Sequence, residues 1–529
     1  MNGICIASLR RLLLAASCAV GSGAFAQTTP PAAALRITTT VGQIEGARAG
    51  EVAVFRGLPY AAPPVGDLRW HAPETAAPWA GVRKADEFGK ACPQDRGASI
   101  DQAGDPGPTS EDCLFLNIWT PRTDAGAKLP VMVWIHGGAF VIGAGSQSLY
   151  DGTALAGRGA VVVTLNYRLG TLGFFSHPAL DRAAPNGPVN FGLLDQIAAL
   201  RWVRENIAAF GGDAQNVTIF GESAGAQSVL ALFSSPLARG LFHKGIAQSA
   251  YGFPSYTRAK AQTVGIAVAA AVGAASAASQ GGAGASLAQL RAIPAERLTA
   301  LKGTGLSLHS AAVVGDAALP EPVLATFQRG GEAALPLVIG SNSDEASVAL
   351  AFGIEPAALV KRLGAARIAI KPLYPGQNDE ALLGREVVRD AVFTAYARRL
   401  AYLHSTRAPT WRYYYSRVPA SLRTTWPGVP HGGELADVFG VDDGCGCLPA
   451  PLTDADRAAS RRVGDYWFAF ARSGAPAFAN DIAWPRDGRQ RAQTMEFGDE
   501  FVVRTDFMKP RLNAFIGALK VLGYFADRR

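Results

Sequence analysis

The stretch Val217-Thr218-Ile219-Phe220-Gly221-Glu222-Ser223-Ala224-Gly225 contains the clearest signal in this chain. A short apolar run leads into a G-x-S-x-G pattern, and helical spacing follows as far as Phe233. A serine in this pattern between a strand and a helix lies on a sharp turn that exposes its hydroxyl. Side chains at Gly221 and Gly225 would collide with the neighbouring strand and helix. The pattern predicts that Ser223 is a nucleophile; an ordinary turn is the alternative interpretation.

Apolar segments alternate with helical patterns on both sides of this turn. Near-continuous apolar strands separated by helices indicate a mostly parallel sheet that is covered on both faces. The sequence therefore predicts an α/β fold, in which sites form at the carboxyl ends of the strands. The strand candidates are Leu116–Trp119, Val131–Ile135, Ala160–Asn166, Val217–Phe220, Gly245–Ser249, Leu335–Ile339 and Trp411–Tyr415, and Leu193–Phe210 has helical spacing.

A serine hydroxyl needs a base that accepts its proton. His431 is the preferred candidate, because it lies in a glycine-rich turn beyond the strand candidate Trp411–Tyr415. A structural histidine remains an equally open interpretation on this evidence alone. His136 belongs to a glycine-rich loop, and the other histidines lie in segments without a catalytic cue: His71, His177, His243, His309 and His404.

A carboxylate must orient the histidine, and with this type of nucleophile turn the chain order is serine, acid, histidine. Asp344 and Glu345 are the best-placed acids between residues 223 and 431, because they directly follow the strand candidate Leu335–Ile339. A helix N-terminus, where acids are common, is the alternative interpretation. Spacing alone does not choose between the two adjacent carboxylates.

Backbone N–H groups must also stabilise the negative charge of a tetrahedral intermediate. The loop His136-Gly137-Gly138-Ala139-Phe140 follows the strand candidate Val131–Ile135 and offers exposed amides. The amide of Ala224, directly after the nucleophile, is the other predicted donor. A plain glycine turn is the alternative interpretation of the loop when it is considered without Ser223.

Together these residues resemble the type-B carboxylesterases, a family that includes cholinesterases and bacterial p-nitrobenzyl esterases. The resemblance covers nearly the whole chain after residue 26 and implies one domain over residues 27–529 with the α/β-hydrolase fold. The segments that match the family are Phe55–Ala61 with Pro63–Gly66, Glu111–Asn117, Asn166–Gly170, and Phe210–Asp213 continuing to Gly225.

The resemblance assigns roles by position. It implies that Glu345, the second residue of the family's Asp-Glu pair, is the acid and that His431 is the base. The other implied roles are oxyanion donors at Gly138, Ala139 and Ala224, supporting residues around the triad at Glu222 and Ser249, and a disulfide between Cys92 and Cys113.

Three positions depart from the family pattern. Ala139 replaces a frequent third glycine, although an alanine amide donates equally well. Ala346 follows Glu345 where glycine is usual. The loop from Cys92 to Cys113 contains no tryptophan to stack on a choline cation, which argues against a choline-ester specialist.

The N-terminus resembles a secretory signal peptide over residues 1–26. Arg10 and Arg11 precede an apolar run, and Ala24-Phe25-Ala26 forms a cleavage pattern before Gln27. The apolar run is too short to span a bilayer comfortably. Lipidation at Cys18 is the remaining alternative. A periplasmic or secreted protein is therefore expected.

Charge and cysteine content limit the partners. Cleavage after Ala26 removes two arginines and no acid, which lowers the formal charge from +7 to +5, and no basic run with interleaved aromatics indicates nucleic-acid binding. The remaining cysteines are Cys92, Cys113, Cys445 and Cys447, and nearest-neighbour pairing is the simplest of three arrangements. A metal site is disfavoured because no second Cys or His pair accompanies Cys445 and Cys447.

We therefore predict an enzyme that hydrolyses carboxylic esters through an acyl-enzyme, without metal or cofactor. The alternatives are a hydrolase specialised for amides, carbamates or one bulky ester, and a non-catalytic binding module on the same scaffold. Residues 255–335 and 353–410 are expected to frame the pocket, but they contain no readable specificity code, and the oligomeric state is not predicted.

Overall fold

An eleven-stranded sheet forms the centre of the computed structural model, which describes residues 35–96, 103–252, 256–274, 281–301, 312–362, 364, 366–448 and 450–526. The signal peptide predicted over residues 1–26, Cys18 and His309 lie outside the described residues. The domain boundary between residues 26 and 27 lies there too, and it stays a prediction.

Sixteen strands are present among the described residues. The large sheet has the order β16-β15-β14-β13-β10-β9-β7-β8-β6-β4-β3, and two small sheets contain β1-β2-β5 and β11-β12. The strands are β1 (Arg36–Thr39), β2 (Gly42–Glu45), β3 (Ala47–Ala49), β4 (Val52–Pro59), β5 (Val82–Lys84), β6 (Phe115–Thr120), β7 (Leu129–Ile135), β8 (Val161–Leu165), β9 (Gly212–Glu222), β10 (Lys244–Gln248), β11 (Tyr256–Thr257), β12 (Val313–Val314), β13 (Leu337–Asn342), β14 (Thr410–Tyr415), β15 (Gln493–Phe497) and β16 (Phe501–Thr505).

Helices cover both faces of the large sheet, as the apolar strands predict. They are α1 (Thr153–Gly157), α2 (Gly170–Gly173), α3 (Pro178–Ala183), α4 (Phe191–Asn206), α5 (Ala224–Ser234), α6 (Arg258–Ala271), α7 (Leu287–Arg291), α8 (Ala295–Thr299), α9 (Val323–Gln328), α10 (Ser347–Ala351), α11 (Pro356–Arg362), α12 (Ala366–Ile370), α13 (Glu380–Val388), α14 (Ala395–His404), α15 (Leu435–Phe439), α16 (Asp454–Ser473) and α17 (Lys509–Ala526).

The centre of the sheet is parallel from β8 through β7, β9, β10, β13 and β14 to β15. Alternate residues of these strands enter two different cores because successive side chains point to opposite faces. Val131 and Val133 of β7 pack in the core that contains α4, α5 and α14. Met132 and Trp134 pack in the core that contains α1, α15 and α16. Burial on both faces explains why the strands are almost wholly apolar.

The α/β class is confirmed, and each strand candidate corresponds to an observed strand. The strand predicted over Leu335–Ile339 is β13, which begins two residues later and extends through the polar residues Ser341 and Asn342. These two residues remain in the strand because they pair with Tyr414 and Tyr415 of β14. The strand predicted over Val217–Phe220 is the longer β9.

Both nearest-neighbour cysteine pairs are disulfides in the structure. Cys92 and Cys113 are buried, with Cα atoms 5.0 Å apart. Cys445 and Cys447 are also bonded, with Cα atoms 5.2 Å apart. Among the helices of the described residues, none is both long enough and apolar enough to cross a bilayer.

Candidate active site

Ser223 occupies a single-residue turn between β9 and α5. Its backbone has φ 56° and ψ −120°, a conformation that residues other than glycine rarely adopt. Its amide donates to the carbonyl of Gln248 at the end of β10, 2.9 Å away. Such strain, of order 1–3 kcal/mol, persists only where the surrounding structure enforces it. The neighbouring strand and the helix that starts at Ala224 provide that enforcement.

The two glycines of the turn allow a close approach to β7. A Cβ atom on Gly225 would lie 2.0 Å from the carbonyl oxygen of Ile135. A Cβ atom on Gly221 would lie 2.7 Å from the same oxygen and 2.6 Å from the carbonyl carbon of Gly225. Any side chain at these positions would push α5 away from the sheet. The structure therefore confirms that side chains at Gly221 and Gly225 would collide with their neighbours, which are the end of β7 and the turn itself.

His431 contacts Glu345 directly. Nδ1 of His431 lies 2.5 Å from Oε2 of Glu345, and Oε1 of the same carboxylate accepts the amide of Asn342 at 2.6 Å. The backbone amide of His431 donates to Oγ of Ser347, 2.8 Å away. Glu345 is fully buried, and each of its two oxygens has a hydrogen-bond partner within the protein. This arrangement fixes the orientation of the imidazole ring.

Asp344 is engaged elsewhere. Its Oδ1 accepts from Nε of Arg385 at 2.8 Å, and its second oxygen accepts from Nη2 of the same guanidinium. Its backbone amide donates to the carbonyl of Val429 at 2.8 Å. The two adjacent acids therefore point to different partners, and only Glu345 contacts His431.

The second ring nitrogen of His431 faces the nucleophile turn. Nε2 lies 3.1 Å from Oε1 of Glu222, but within the described residues neither atom makes an aligned hydrogen bond. Ser223 follows Glu222 in the chain, yet its hydroxyl is not hydrogen-bonded to Nε2. Catalytic hydrogen bonds are often formed only when a substrate binds. In the described part of the chain, the structure thus leaves Nε2 without a hydrogen bond, 3.1 Å from the side chain of the residue that precedes Ser223.

Three buried carboxylates surround the imidazole. Burial lowers the pKa of His431, but the negative charges of Glu222, Glu345 and Glu434 have the larger effect and raise it to about 9. Burial also raises the pKa of Glu222 to about 8, with His431 opposing it and Glu434 adding to it. The charges of this cluster therefore favour retention of a proton on the imidazole.

The glycine-rich loop after β7 runs past Ser223. A Cβ atom on Gly137 would lie 3.3 Å from the Cβ of Ser223. Gly138, Ala139 and Phe140 all have positive φ angles, of 92°, 52° and 62°. Within the described part of the chain, the amides of Gly138, Ala139 and Ala224 donate to no other backbone or side-chain group. These free donors are the predicted oxyanion groups.

His136 begins this loop but is unsuited to act as a base. It is fully buried and stacks on Tyr167 with ring centroids 4.4 Å apart. Burial lowers the pKa of His136 to about 4, although the carbonyl of Gly137 opposes this shift. A neutral ring packed in this way supports the loop.

Ser249 lies at the end of β10 and is fully buried, with a φ angle of 58°. Its amide donates to the carbonyl of Gly340 at 2.9 Å. Its hydroxyl has no hydrogen-bond partner among the described residues, and the oxygens of Glu345 are already occupied. The hydrogen bonds therefore do not show the supporting role toward the acid that the resemblance implies, and that role stays a prediction.

A buried polar network missed by the sequence analysis anchors the turn that bears His431. Glu434 accepts from Nε2 of Gln248 at 2.9 Å and from Nδ2 of Asn342 at 2.5 Å. The indole of Trp467 donates to Gln248 at 3.0 Å. The partners of Glu434 lie 186 and 92 residues away from it in sequence. No local pattern could have joined them.

An aromatic ring packs against the imidazole. The ring of Phe393 lies 5.2 Å from that of His431 and 6.2 Å from that of Tyr251, centroid to centroid. Phe393 belongs to a π-helical segment, Arg389–Thr394, between α13 and α14. Such segments are rare and frequent at functional sites. This one brings an apolar ring against the base.

Comparison with known proteins places this geometry in a family. The model of the carboxylesterase family matches residues 33–370 and 379–515. The chain is 36% identical to the para-nitrobenzyl esterase of Bacillus subtilis (strain 168), over 89% of this chain and 96% of that protein. It is 35% identical to the fumonisin B1 esterase of Sphingopyxis macrogoltabida, over 87% and 86% of the two chains.

Solved structures agree with this result. A structure of a PNB esterase superposes with a TM-score of 0.75 at 33% identity, over 91% of this chain and 99% of that one. The carboxylesterase of Geobacillus stearothermophilus superposes with a TM-score of 0.77 at 32% identity, over the same shares. The predicted α/β-hydrolase fold is confirmed. The chain belongs to the carboxylesterase family and is a carboxylic-ester hydrolase.

Proposed function

We propose that Ser223, His431 and Glu345 are the residues that perform ester hydrolysis in this protein. Oγ of Ser223 attacks the ester carbonyl while Nε2 of His431 accepts its proton. Glu345 remains ionised and stabilises the imidazolium through Nδ1. His431 then protonates the leaving alcohol, and a water molecule releases the acid from the acyl-enzyme by the same steps in reverse.

The contact between His431 and Glu345 is the observation that supports this proposal most. Nδ1 is bound to a buried carboxylate at 2.5 Å, and Nε2 is directed to the nucleophile turn. The amides of Gly138, Ala139 and Ala224 would receive the negative charge of the tetrahedral intermediate. Removal of one such donor typically costs roughly 3–4 kcal/mol of barrier.

Replacement of the nucleophile tests the proposal. We expect Ser223→Ala to abolish the hydrolysis of p-nitrophenyl acetate and covalent labelling by a fluorophosphonate, because no other group would attack the carbonyl. Ser176→Ala is the control, since this hydroxyl is also buried but has no proposed role in the reaction. Retained labelling in a folded Ser223→Ala protein would contradict the assignment.

The identity of the natural ester depends on the shape of the pocket. The similarity to a para-nitrobenzyl esterase and a fumonisin B1 esterase supports carboxylic esters as the substrate class. The ring of Phe393 packs against His431 and favours apolar groups beside it. Measuring kcat/KM for esters of graded acyl and alcohol size would identify the preferred substrate and separate esters from amides and carbamates.

We also propose that the protein is exported. The signal-peptide pattern of residues 1–26 and the two disulfides support this location, since disulfides persist in oxidising compartments. N-terminal sequencing of the protein from the periplasm and medium should begin at Gln27. A mature chain that begins with a lipid-modified Cys18 would establish the alternative.

A further inference from the structure

A glutamine next to the Cys92–Cys113 disulfide holds the chain just beyond the glycine-rich loop. Nε2 of Gln94 donates to the carbonyl of Gly143 at 2.9 Å, and Oε1 of the same side chain accepts the amide of Gly143 at 2.7 Å. Nε2 also donates to the carbonyl of Cys92 at 3.1 Å. Gln94 is 8% exposed, so solvent competes little for these bonds. The side chain therefore binds both backbone groups of Gly143.

Gly143 depends on this side chain for its hydrogen bonds. It is buried, and within the described residues its amide and carbonyl have no backbone partner. Buried backbone groups without partners are costly, and nearly all of them are paired in native structures. A side chain at position 94 that cannot form hydrogen bonds would leave both groups unpaired. The chain at Gly143 would then have to move to find other partners.

The backbone of Gly143 packs directly against the start of the glycine-rich loop. A Cβ atom on Gly143 would lie 2.3 Å from Nδ1 of His136 and 3.0 Å from the carbonyl oxygen of Gly137. The φ angle of Gly143 is 108°, so glycine is needed here for its conformation as well as for space. A shift of Gly143 would therefore change the packing of the two residues that precede the proposed oxyanion donors.

A tight turn joins Gly143 to the donors themselves. The carbonyl of Gly138 accepts the amides of Val141 and Ile142, at 2.9 and 3.0 Å. A Cβ atom on Gly138 would lie 2.3 Å from the carbonyl oxygen of Ile142, which precedes Gly143. The turn that contains the donors thus ends next to the residue that the glutamine holds.

The conformation of this turn needs support from outside. Gly138, Ala139 and Phe140 all have positive φ angles. Such conformations are unfavourable for alanine and phenylalanine, and they persist only where the surrounding structure enforces them. The carbonyl of Phe140 accepts the amide of Gly170 at 2.7 Å, which fixes the middle of the turn. Gln94 holds the chain where the turn ends.

We propose that Gln94 is a positioning residue for the oxyanion donors at Gly138 and Ala139, an inference that rests on the proposed function of these amides. Its hydrogen bonds go to backbone groups, so it acts through the loop and does not touch the ester. Donors fixed in advance stabilise the transition state because they need not reorganise during the reaction. Loss of the contact would misplace them, and a misplacement of about 1 Å can slow a reaction roughly 100-fold.

Gln94→Met tests the inference, because methionine keeps the length of the side chain but forms neither bond to Gly143. In the hydrolysis of p-nitrophenyl acetate, we expect kcat to fall roughly 10- to 100-fold with KM nearly unchanged, since the donors act mainly on the transition state. Gln493→Met is the matched control, because Gln493 is 5% exposed and its amide donates to Oγ1 of Thr505 at 3.1 Å, between β15 and β16. Its kcat should equal that of the unaltered protein.

A graded variant gives a second comparison. Gln94→Glu keeps an oxygen that can accept the amide of Gly143 but loses the donor to the carbonyl. Its kcat should therefore lie between those of the unaltered protein and Gln94→Met, and it tests the inference if Gln94→Met does not fold. The pH dependence of kcat/KM should keep its acid limb in both variants, because the hydrogen bonds of Gln94 do not involve His431.

A trifluoromethyl ketone reports on the donors directly. The hydroxyl oxygen of Ser223 bonds to the ketone carbon, its proton passes to His431, and the former carbonyl oxygen becomes an oxyanion that resembles the tetrahedral intermediate. Inhibition by such a transition-state analogue should weaken in Gln94→Met by about the same factor as kcat. The melting temperature of each variant, measured alongside, identifies any general loss of stability.

These measurements separate the inference from the proposed function. Retained fluorophosphonate labelling of Ser223→Ala would contradict the nucleophile, whatever Gln94→Met shows. If Ser223→Ala is inactive while the folded variants of Gln94 match Gln493→Met in kcat and ketone affinity, Gln94 has no positioning role. A lower melting temperature with unchanged kcat, or a higher KM with unchanged kcat, would equally overturn the inference.

Discussion

At the residue scale, the two adjacent acids Asp344 and Glu345 provide a sharp test of the site. Glu345→Gln keeps the shape of the side chain but removes the charge that stabilises the imidazolium. We expect kcat to fall roughly 10³- to 10⁴-fold, as observed when the acid of such a triad is made neutral. The measurement is the steady-state hydrolysis of p-nitrophenyl acetate.

The control for this prediction is the neighbouring residue. Asp344→Asn weakens the pair with Arg385, so it should lower the free energy of unfolding by about 1–3 kcal/mol while kcat changes little. A larger loss of kcat in Asp344→Asn than in Glu345→Gln would reverse the assignment of the acid.

The buried carboxylates around His431 predict a pH dependence. His431 must be neutral to accept the proton of Ser223, so a raised pKa of His431 moves the acid limb of the kcat/KM profile to higher pH. Glu222→Gln removes a negative charge that raises this pKa and should shift the limb to lower pH by roughly one unit. The measurement is kcat/KM from about pH 5 to 10, a range that spans the titration of a perturbed histidine.

Glu434→Gln serves as the graded comparison, because Glu434 raises the same pKa less than Glu222 or Glu345. Its shift should be in the same direction but smaller. A rate of the unaltered enzyme that is flat from about pH 5 to 8 would argue against His431 as the base.

At the element scale, the packing of α5 on β7 depends on Gly225. An alanine methyl group there would lie 2.0 Å from the carbonyl oxygen of Ile135 and 3.0 Å from that of His136, so its nearest neighbours are backbone atoms. We expect Gly225→Ala to lower the free energy of unfolding by about 3 kcal/mol, because overpacked sites must displace their neighbours. Urea unfolding followed by tryptophan fluorescence measures the change.

Gly157 is the matched control for this helix–strand contact. It is exposed at the end of α1, and nothing lies within 4 Å of an added Cβ atom. Gly157→Ala should therefore change stability by less than about 1 kcal/mol. If Gly225→Ala and Gly157→Ala lowered the free energy of unfolding equally, α5 would not require its close approach to β7.

At the scale of the whole molecule, the two disulfides should contribute unequally. Cys92 and Cys113 are 21 residues apart, whereas Cys445 and Cys447 are two residues apart. The longer loop loses more entropy in the unfolded chain, so replacing the first pair by alanine should cost about 3 kcal/mol and the second about half of that. Thermal and urea unfolding of the two double variants provide the comparison, and equal losses would contradict the loop-entropy account.

Much of the architecture was predictable because it depends on local patterns. Strands buried on both faces must be apolar, and a nucleophile turn needs glycines on each side of Ser223. The details of β13 were not predictable, since Ser341 and Asn342 remain in the strand only through their pairing with β14. The polar side chains of Ser341 and Asn342 do not indicate a strand, but the backbone pairing with β14 keeps both residues in the sheet.

The sequence by itself determined the fold class and the family, and it predicted the nucleophile, because each of these leaves a contiguous pattern in the chain. The resemblance implied that Glu345 is the acid, but only the tertiary structure shows that Glu345 contacts His431 while Asp344 contacts Arg385, and that Glu222 and Glu434 share the buried site. These contacts join residues that are distant in the chain, and their strength comes from burial, which no local pattern of residues reports.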